Sequence, residues 1–176
     1  MPAEDGSRTI RLKIEINTRE IDAFDPTVEI PFRVENPWFS GGCPIITYSR
    51  EELLATKLRA LLQRDKGRDL FDLAHAADAF PGLNFNRVIE CFGLYLKNTG
   101  QGVPRAEAEQ RMFGKLINPS FLTDIRPLLS AAEAEKMNES ETRRMFEKVF
   151  TLFIARLPGK PWTRTPEMMQ RFHVLL

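Results

Sequence analysis

The hydrophobic pattern of this sequence changes its period at Ser49. Before that residue, apolar side chains alternate with polar ones, which is the pattern of half-buried strands. After it, leucines and phenylalanines recur at spacings of three and four residues, the pattern of amphipathic helices. This order predicts an α+β fold, in which residues 1–48 form a small sheet and residues 49–176 form a helical domain of about six helices.

Two runs of alternating residues belong to the strand segment. Residues 9–17 place isoleucines and a leucine on one face, so Glu15 lies on the polar face of the first predicted strand. Residues 28–34 repeat the pattern. Pro31 within that second run predicts an edge strand or a bulge, because proline cannot donate a ladder hydrogen bond.

The rest of the strand segment is short. Residues 36–44 have the proline, glycine and asparagine content of a turn, and residues 45–48 predict a third short strand. Three such strands make a poor sheet on their own. We therefore expect either that the helices cover this remnant or that it is the end of a larger sheet. A further alternative is that a separate chain supplies the missing strands.

The helical domain opens on a capping signal. Ser49 and Glu52 form a capping box, in which each side chain is expected to satisfy a backbone N–H group at the helix start. Gly67 is expected to end or interrupt this first helix. Helical spacing predicts the later helices at residues 70–80, 85–96, 104–117, 121–129 and 140–157, with a short one from Pro166.

Charge and cysteine content exclude several classes of function. Lys plus Arg number 25 and Asp plus Glu 24, so the chain is not a polycation that holds nucleic acid by charge alone. Two cysteines, Cys43 and Cys91, are too few for a structural zinc site. No secretory signal or membrane span is found, so a cytoplasmic protein without membrane contact is expected.

Three large or reactive side chains have predicted surroundings. Cys91 follows the apolar positions of a helix and is expected in the core. Trp38 and Trp162 lie in segments rich in proline and glycine, and each is expected to pack over the core beneath its loop, with contact to a partner as the alternative.

The densest group of chemically active residues lies at 56–73. Four cations in it are here named the basic cluster: Lys57, Arg64, Lys66 and Arg68. Asp69 and Asp72 follow at the start of the next helix. Arginine and lysine suit phosphate oxygens, and carboxylates hold the Mg²⁺ that polyphosphates bring. The alternative is an exposed salt-bridge net on two solvated helices.

Three runs of the sequence resemble the AbiEii/AbiGii toxin family of nucleotidyltransferases: RLKIEIN, ITYSREELLATKLRALLQRDKGRDLFDLAHAA and LINPSFLTDIRPLL. The resemblance covers most of residues 9–130 and is strongest at 45–75, where the helix ends in R-x-K-x-R-D-x-x-D. It implies a remnant of a nucleotidyltransferase palm, with short antiparallel or mixed strands, followed by a helical domain. It also implies toxin activity in bacterial toxin–antitoxin and abortive-infection systems.

The resemblance implies roles for single residues. Glu15 matches a metal-organising carboxylate, Lys57 the lysine that touches the donor phosphates, and Asp69 an acid/base or orienting group. The remaining basic positions of the family match Arg64, Lys66 and Arg68. Mg²⁺ and a nucleoside triphosphate donor are implied with them, together with tRNA as an acceptor in some members and a cognate antitoxin as a partner.

One family motif is missing. A Gly-Ser pair followed by paired acids on the next strand should precede the strand of Glu15, but Gly6-Ser7 leads directly into that strand. A two-metal site cannot be assembled without those carboxylates, so the chain alone is expected to transfer no nucleotide. The alternative is a non-enzymatic helical module that binds a protein partner such as an antitoxin.

Overall fold

The computed structural model describes residues 13–14 and 23–175. Within these ranges the chain forms two antiparallel strands followed by eight α-helices, which confirms the predicted α+β class. Glu15 and most of the first predicted strand lie outside the described residues, and Lys13 and Ile14 are in neither strand.

The two strands form a hairpin, here named the ribbon. β1 (Val28–Asn36) pairs with β2 (Phe39–Thr47) through a two-residue connection. The side-chain oxygen of Asn36 accepts the backbone N–H groups of Trp38 and Phe39 at 3.0 and 2.9 Å, which stabilises this tight turn. The turn prediction for residues 36–44 is therefore wrong beyond Trp38, because cross-strand pairing overrides the glycine content of β2.

Proline occupies the middle of both strands. Pro31 lies directly opposite Pro44 in the register. Neither residue can donate, so the pair must occupy a position whose N–H groups would point away from the partner strand. The strands that the structure describes form a sheet of two, so Pro31 is in an edge strand of it, as predicted, and each outer edge of the ribbon lacks an N–H donor near its centre.

One face of the ribbon is apolar and open to solvent. Ile30 is 52%, Phe32 49% and Ile45 43% exposed. In the part of the chain that the structure describes, neither strand has extensive contacts with a helix, so the alternative in which the helices cover the strands is wrong for the ribbon.

The two tryptophans have different surroundings. Trp162 packs beside Phe113, with ring centroids 6.4 Å apart, and joins the core as predicted. Trp38 is 84% exposed, which contradicts its prediction, because the hairpin carries its tip away from the helices.

Eight helices follow the ribbon in the described chain: α1 (Arg50–Gln63), α2 (Gly67–Ala79), α3 (Phe85–Asn98), α4 (Arg105–Leu116), α5 (Pro119–Thr123), α6 (Ala131–Lys136), α7 (Glu139–Leu152) and α8 (Thr165–Phe172). Asn84 and Asn138 cap α3 and α7 with their side chains. None of the helices in the described ranges has the length and apolar content to cross a membrane.

The core lies between the apolar faces of these helices. The leucine stripe of α1 is buried as predicted, and α1 packs mainly against α3 and α2. A second set of contacts surrounds Phe113 of α4, whose ring centroid is 5.4 Å from that of Phe146 and 5.5 Å from that of Phe150. Cys91 is fully buried, which confirms its predicted place in the core.

Gly67 begins α2 rather than ending α1, so its predicted role is wrong. A Cβ atom at this position would lie 2.1 Å from the carbonyl oxygen of Phe121 in α5. Glycine is therefore required by the close approach of another backbone, which local sequence does not reveal.

The capping box forms only in part. Ser49 Oγ accepts the N–H of Glu52 at 3.1 Å, as predicted. The Glu52 carboxylate instead accepts the backbone N–H groups of Phe24 and Asp25, at 2.9 and 3.0 Å, and the Tyr95 hydroxyl at 2.8 Å. Glu52 is fully buried and ties the segment before β1 to α1 and α3.

Candidate functional site

The basic cluster lies around the connection of α1 to α2, residues 64–66, here named the α1–α2 turn. Lys57 is on α1, Arg64 is its C-terminal cap, and Lys66 is the N-terminal cap of α2. Arg68 is in the first turn of α2. The four cations of the basic cluster therefore share one helix-to-helix junction.

Two ion pairs connect α1 to α2. Lys57 Nζ lies 2.6 Å from Asp72 Oδ2, and Arg64 binds Asp69 through two bonds, Nε to Oδ2 at 2.7 Å and Nη2 to Oδ1 at 2.8 Å. Lys57 and Arg64 thus point to the same neighbouring helix, in agreement with their seven-residue spacing. Asp69 and Asp72 meet them from one face of α2.

The two pairs differ in burial. The Asp69 side chain has no exposed surface, whereas the side chain of Arg64 is 46% exposed. The hydrogen bonds that Arg64 donates to Asp69 are the main reason that the pKa of Arg64 is raised. A fully buried carboxylate is out of reach of a substrate, so this geometry favours the orienting role for Asp69 over the acid/base role. Arg64 then presents the free side of its guanidinium group to solvent.

Lys66 and Arg68 are exposed, and within the described part of the chain neither has an ion-pair partner. Lys57 and Asp72 are each somewhat more than one-third exposed. An anion that reaches the junction therefore meets two cations without carboxylate partners and one half-open ion pair.

Sequence reasoning missed three residues that hold this junction. Lys115 of α4 donates to the carbonyl oxygen of Arg64 at 2.9 Å and to Asp65 Oδ1 at 2.6 Å. Arg111 donates to the carbonyl oxygen of Leu62 at 3.0 Å. Asp124 accepts the N–H of Gly67 at 2.8 Å.

A weak signal for two of these residues is present in the sequence. Arg111 and Lys115 are four apart, so they share one face of α4. Nothing local indicates which part of the fold that face meets, because Arg64 and Leu62 are about fifty residues away along the chain.

The described carboxylates do not form a magnesium site. No group of three or more His, Cys, Asp or Glu side chains in the described residues is arranged to hold a metal ion. Asp69 and Asp72 are already bound to cations. Glu15, the metal ligand implied by the resemblance, lies outside the described residues.

A second polar network lies at the start of α3 and contains no activated nucleophile. Asp25 accepts hydrogen bonds from Arg87 and Ser49, and these hold the pKa of Asp25 below its usual value. Burial raises the pKa of the neighbouring Cys91 thiol to about 11, so the thiol stays protonated at neutral pH. This network stabilises the fold around Glu52.

The comparisons with known proteins agree with the resemblance seen in the sequence. No curated protein and no solved structure matches the chain. A family model described as the nucleotidyl transferase AbiEii toxin of type IV toxin–antitoxin systems matches residues 1–160. That range includes the ribbon, the basic cluster and all helices except α8. The chain therefore belongs to the AbiEii family of nucleotidyl transferase toxins.

Proposed function

We propose that this chain is a nucleotidyltransferase-like toxin whose basic cluster binds the triphosphate of a nucleotide donor. The observation that supports this function best is the junction of α1 and α2, where Arg64 is oriented by a buried carboxylate and Lys66 and Arg68 are exposed beside it. Oriented guanidinium and ammonium groups stabilise the charge on a transferring phosphoryl group. Asp69 acts in this proposal by orienting Arg64.

Lys57 has a conditional role in this proposal. Its ammonium group is bound to Asp72, but both side chains are partly exposed. Phosphate oxygens would compete with Asp72 for Lys57, since each offers the same kind of charge-assisted hydrogen bond. Triphosphate binding is then weaker than it would be to a free lysine, because the ion pair between Lys57 and Asp72 must open first.

Mg²⁺ and the transfer step need groups beyond the described residues. When bound with a triphosphate, Mg²⁺ would neutralise phosphate charge, and Glu15 is the proposed carboxylate ligand of this chain. The paired acids of the family's first motif are not found in the sequence. We therefore expect transfer only when further strands, from a longer or separate polypeptide, supply those acids.

The acceptor and the partner are proposed from what the family resemblance implies. A tRNA is the proposed acceptor, and a cognate antitoxin is the proposed protein partner. The near-zero net charge favours a focused contact with tRNA over non-specific binding along the phosphate backbone. The cytoplasmic location remains a prediction from the sequence.

Calorimetric titration of the chain with Mg-nucleoside triphosphates tests the binding step. We expect weak binding that Lys57→Ala abolishes and that Asp72→Asn strengthens, because the asparagine frees the Lys57 ammonium group. Lys97→Ala, at an exposed lysine of α3, is the matched control and should leave binding unchanged. Absence of binding at every accessible concentration would contradict the proposed site.

A transfer assay tests the expectation for the chain alone. The purified chain is incubated with radiolabelled nucleoside triphosphates, Mg²⁺ and total tRNA. We expect no label in RNA or protein, because the first-motif acids are missing. Incorporated label that Asp69→Asn removes would show that the chain carries a complete active site.

A second function is favoured by the ribbon. Its apolar face, with Ile30, Phe32 and Ile45, is exposed. The ribbon carries no basic patch, because its only arginine, Arg33, lies 3.6 Å from Glu35. These features suit a non-enzymatic module that binds a protein such as an antitoxin. In that case Phe32→Ser weakens antitoxin binding while Lys57→Ala does not.

A further inference from the structure

The C-terminal end of α1 is capped by two cations from another helix. Arg111 and Lys115, one turn apart on α4, donate to the carbonyl oxygens of Leu62 and Arg64. The last carbonyl groups of a helix lack intrahelical donors and carry partial negative charge. These two side chains therefore fix where α1 ends and where the α1–α2 turn begins.

The start of α2 is fixed from the same side of the fold. Asp124, the residue after α5, accepts the N–H of Gly67, the first residue of α2. The absence of a side chain at Gly67 lets the backbone of α5 approach closely. The α1–α2 turn, which carries Arg64 and Lys66, is thus held at both ends by α4 and the end of α5.

Lys115 is the most buried cation in this arrangement. Its side chain is only 5% exposed, and its ammonium group lies between the Arg64 carbonyl oxygen, the Asp65 carboxylate and the ring of Phe121, whose centroid is 5.4 Å away. A buried ammonium group is costly in free energy unless such partners surround it. The hydrogen bond from Lys115 is also the main reason that the pKa of Asp65 is lowered. The group is directed at the turn, so a ligand on the outer surface does not touch it.

We propose that Lys115 is a positioning residue of the basic cluster. By holding the backbone at Arg64 and Asp65, it sets the directions in which Arg64 and Lys66 leave the chain. The effect expected on triphosphate affinity rests on the triphosphate binding proposed above. The effect expected on the conformation of the α1–α2 turn is independent of that proposal.

The experiment uses the full chain with two measurements. Calorimetry gives the Kd for inorganic triphosphate, and ¹H–¹⁵N NMR follows the Arg64 Nε–H resonance and the exchange rate of the Gly67 amide. Lys115→Met removes the charge and keeps the length of the side chain, whereas Lys115→Arg keeps a cationic donor. Lys160→Met is the control, because Lys160 is exposed and its segment contacts the opposite end of α4.

For Lys115→Met we expect native helical circular dichroism, a shifted Arg64 Nε–H resonance, faster Gly67 exchange and about tenfold weaker triphosphate binding, as for groups that orient a ligand-binding residue. Lys115→Arg should restore most of the affinity, and the control should match the wild type. A folded Lys115→Met protein with both NMR signals unchanged would overturn the inference.

Two further outcomes are separable. If the wild type does not bind triphosphate, the proposed binding function fails, and the NMR signals still decide whether Lys115 positions the turn. If Lys115→Met does not fold, Asp65→Asn is tested in its place, because it weakens the same contact with Lys115 through the more exposed partner. It should then shift the Arg64 resonance and speed Gly67 exchange, and no change in either would overturn the inference.

Discussion

Single buried charged residues connect distant parts of this chain. Glu52, Asp69 and Glu109 are fully buried, and each accepts at least two hydrogen bonds. Glu109 accepts the N–H of Trp162 at 2.8 Å and so joins α4 to the C-terminal segment. No buried side-chain polar atom in the described residues lacks a partner. Removing one partner should therefore cost the desolvation penalty of the other.

Asp69→Asn tests the buried member of the Arg64 pair. The amide cannot accept at both former oxygen positions, so it loses one of the two bonds to Arg64 and the charge interaction. We expect a loss of about 2 kcal/mol in the free energy of unfolding, measured by urea denaturation. Asp72→Asn, in the more exposed pair with Lys57, should cost at most about 1 kcal/mol. Equal losses in the two variants would contradict the burial difference.

The pH dependence of stability tests Asp25. Hydrogen bonds from Arg87 and Ser49 lower its pKa from the ordinary value of 3.8. A carboxylate with a lowered folded pKa stabilises the fold above its ordinary pKa, and this contribution is lost as the pH falls through 3.8 to the lower folded value. Urea denaturation at a series of acid pH values should show a shallower acid slope for Asp25→Asn than for the wild type. Parallel slopes would show that Asp25 adds nothing to acid sensitivity.

Residue roles were predictable only where they depend on near neighbours. The N–H of Glu52 is capped by Ser49, three positions away, and this contact was predicted. The carboxylate of Glu52 binds groups 27 to 43 positions away, and the sequence pattern does not predict these contacts. Lys115 was missed for the same reason, because its partners are 50 and 51 positions away. The pair of Arg64 with Asp69, five positions apart, is local, and the family resemblance implied an orienting role for Asp69 as one of two alternatives.

At the scale of elements, the α1–α2 junction depends on how closely α5 approaches it. Gly67→Ala places a Cβ atom 2.1 Å from the Phe121 carbonyl oxygen and 2.7 Å from Asp124 Oδ1. Backbone atoms must move to relieve this contact, so we expect a loss of about 1–3 kcal/mol in thermal or urea denaturation. Gly93→Ala in α3 is the matched control. Its Cβ meets nothing within 4 Å, so it should stabilise the helix by about 0.5–1 kcal/mol.

Helices were predicted better than strands for a physical reason. The apolar faces of α1, α3 and α7 repeat over three or more turns, and caps such as Asn84 mark their beginnings. The strand β2 has glycine and proline at its centre, and it is held extended by pairing with β1 across the hairpin. Its extended conformation therefore depends on pairing with β1, and the composition of β2 alone does not predict it.

At the scale of the whole molecule, the ribbon and the helices are stabilised differently. Among the described elements, the longer helices share one core, whereas the ribbon has no extensive contact with any helix. Hydrogen exchange measured by mass spectrometry should therefore show faster exchange for residues 28–47 than for α1, α3 and α7. The segment at Phe24 and Asp25 should be protected with the helices, because Glu52 binds both N–H groups. Equal protection of ribbon and helices would mean that they unfold as one unit.

The exposed apolar face of the ribbon contains a cysteine, Cys43, whose alkylation reports whether the face is covered. Cys43 lies opposite Phe32 in the register, so its thiol is on the apolar face, and it is exposed. Any protein that covers this face must shield Cys43 from alkylating reagents. Cys91 is buried and should react only when the helices unfold. Timed alkylation therefore gives, from one untagged sample, both the occupancy of the ribbon face and an internal standard for the folded state.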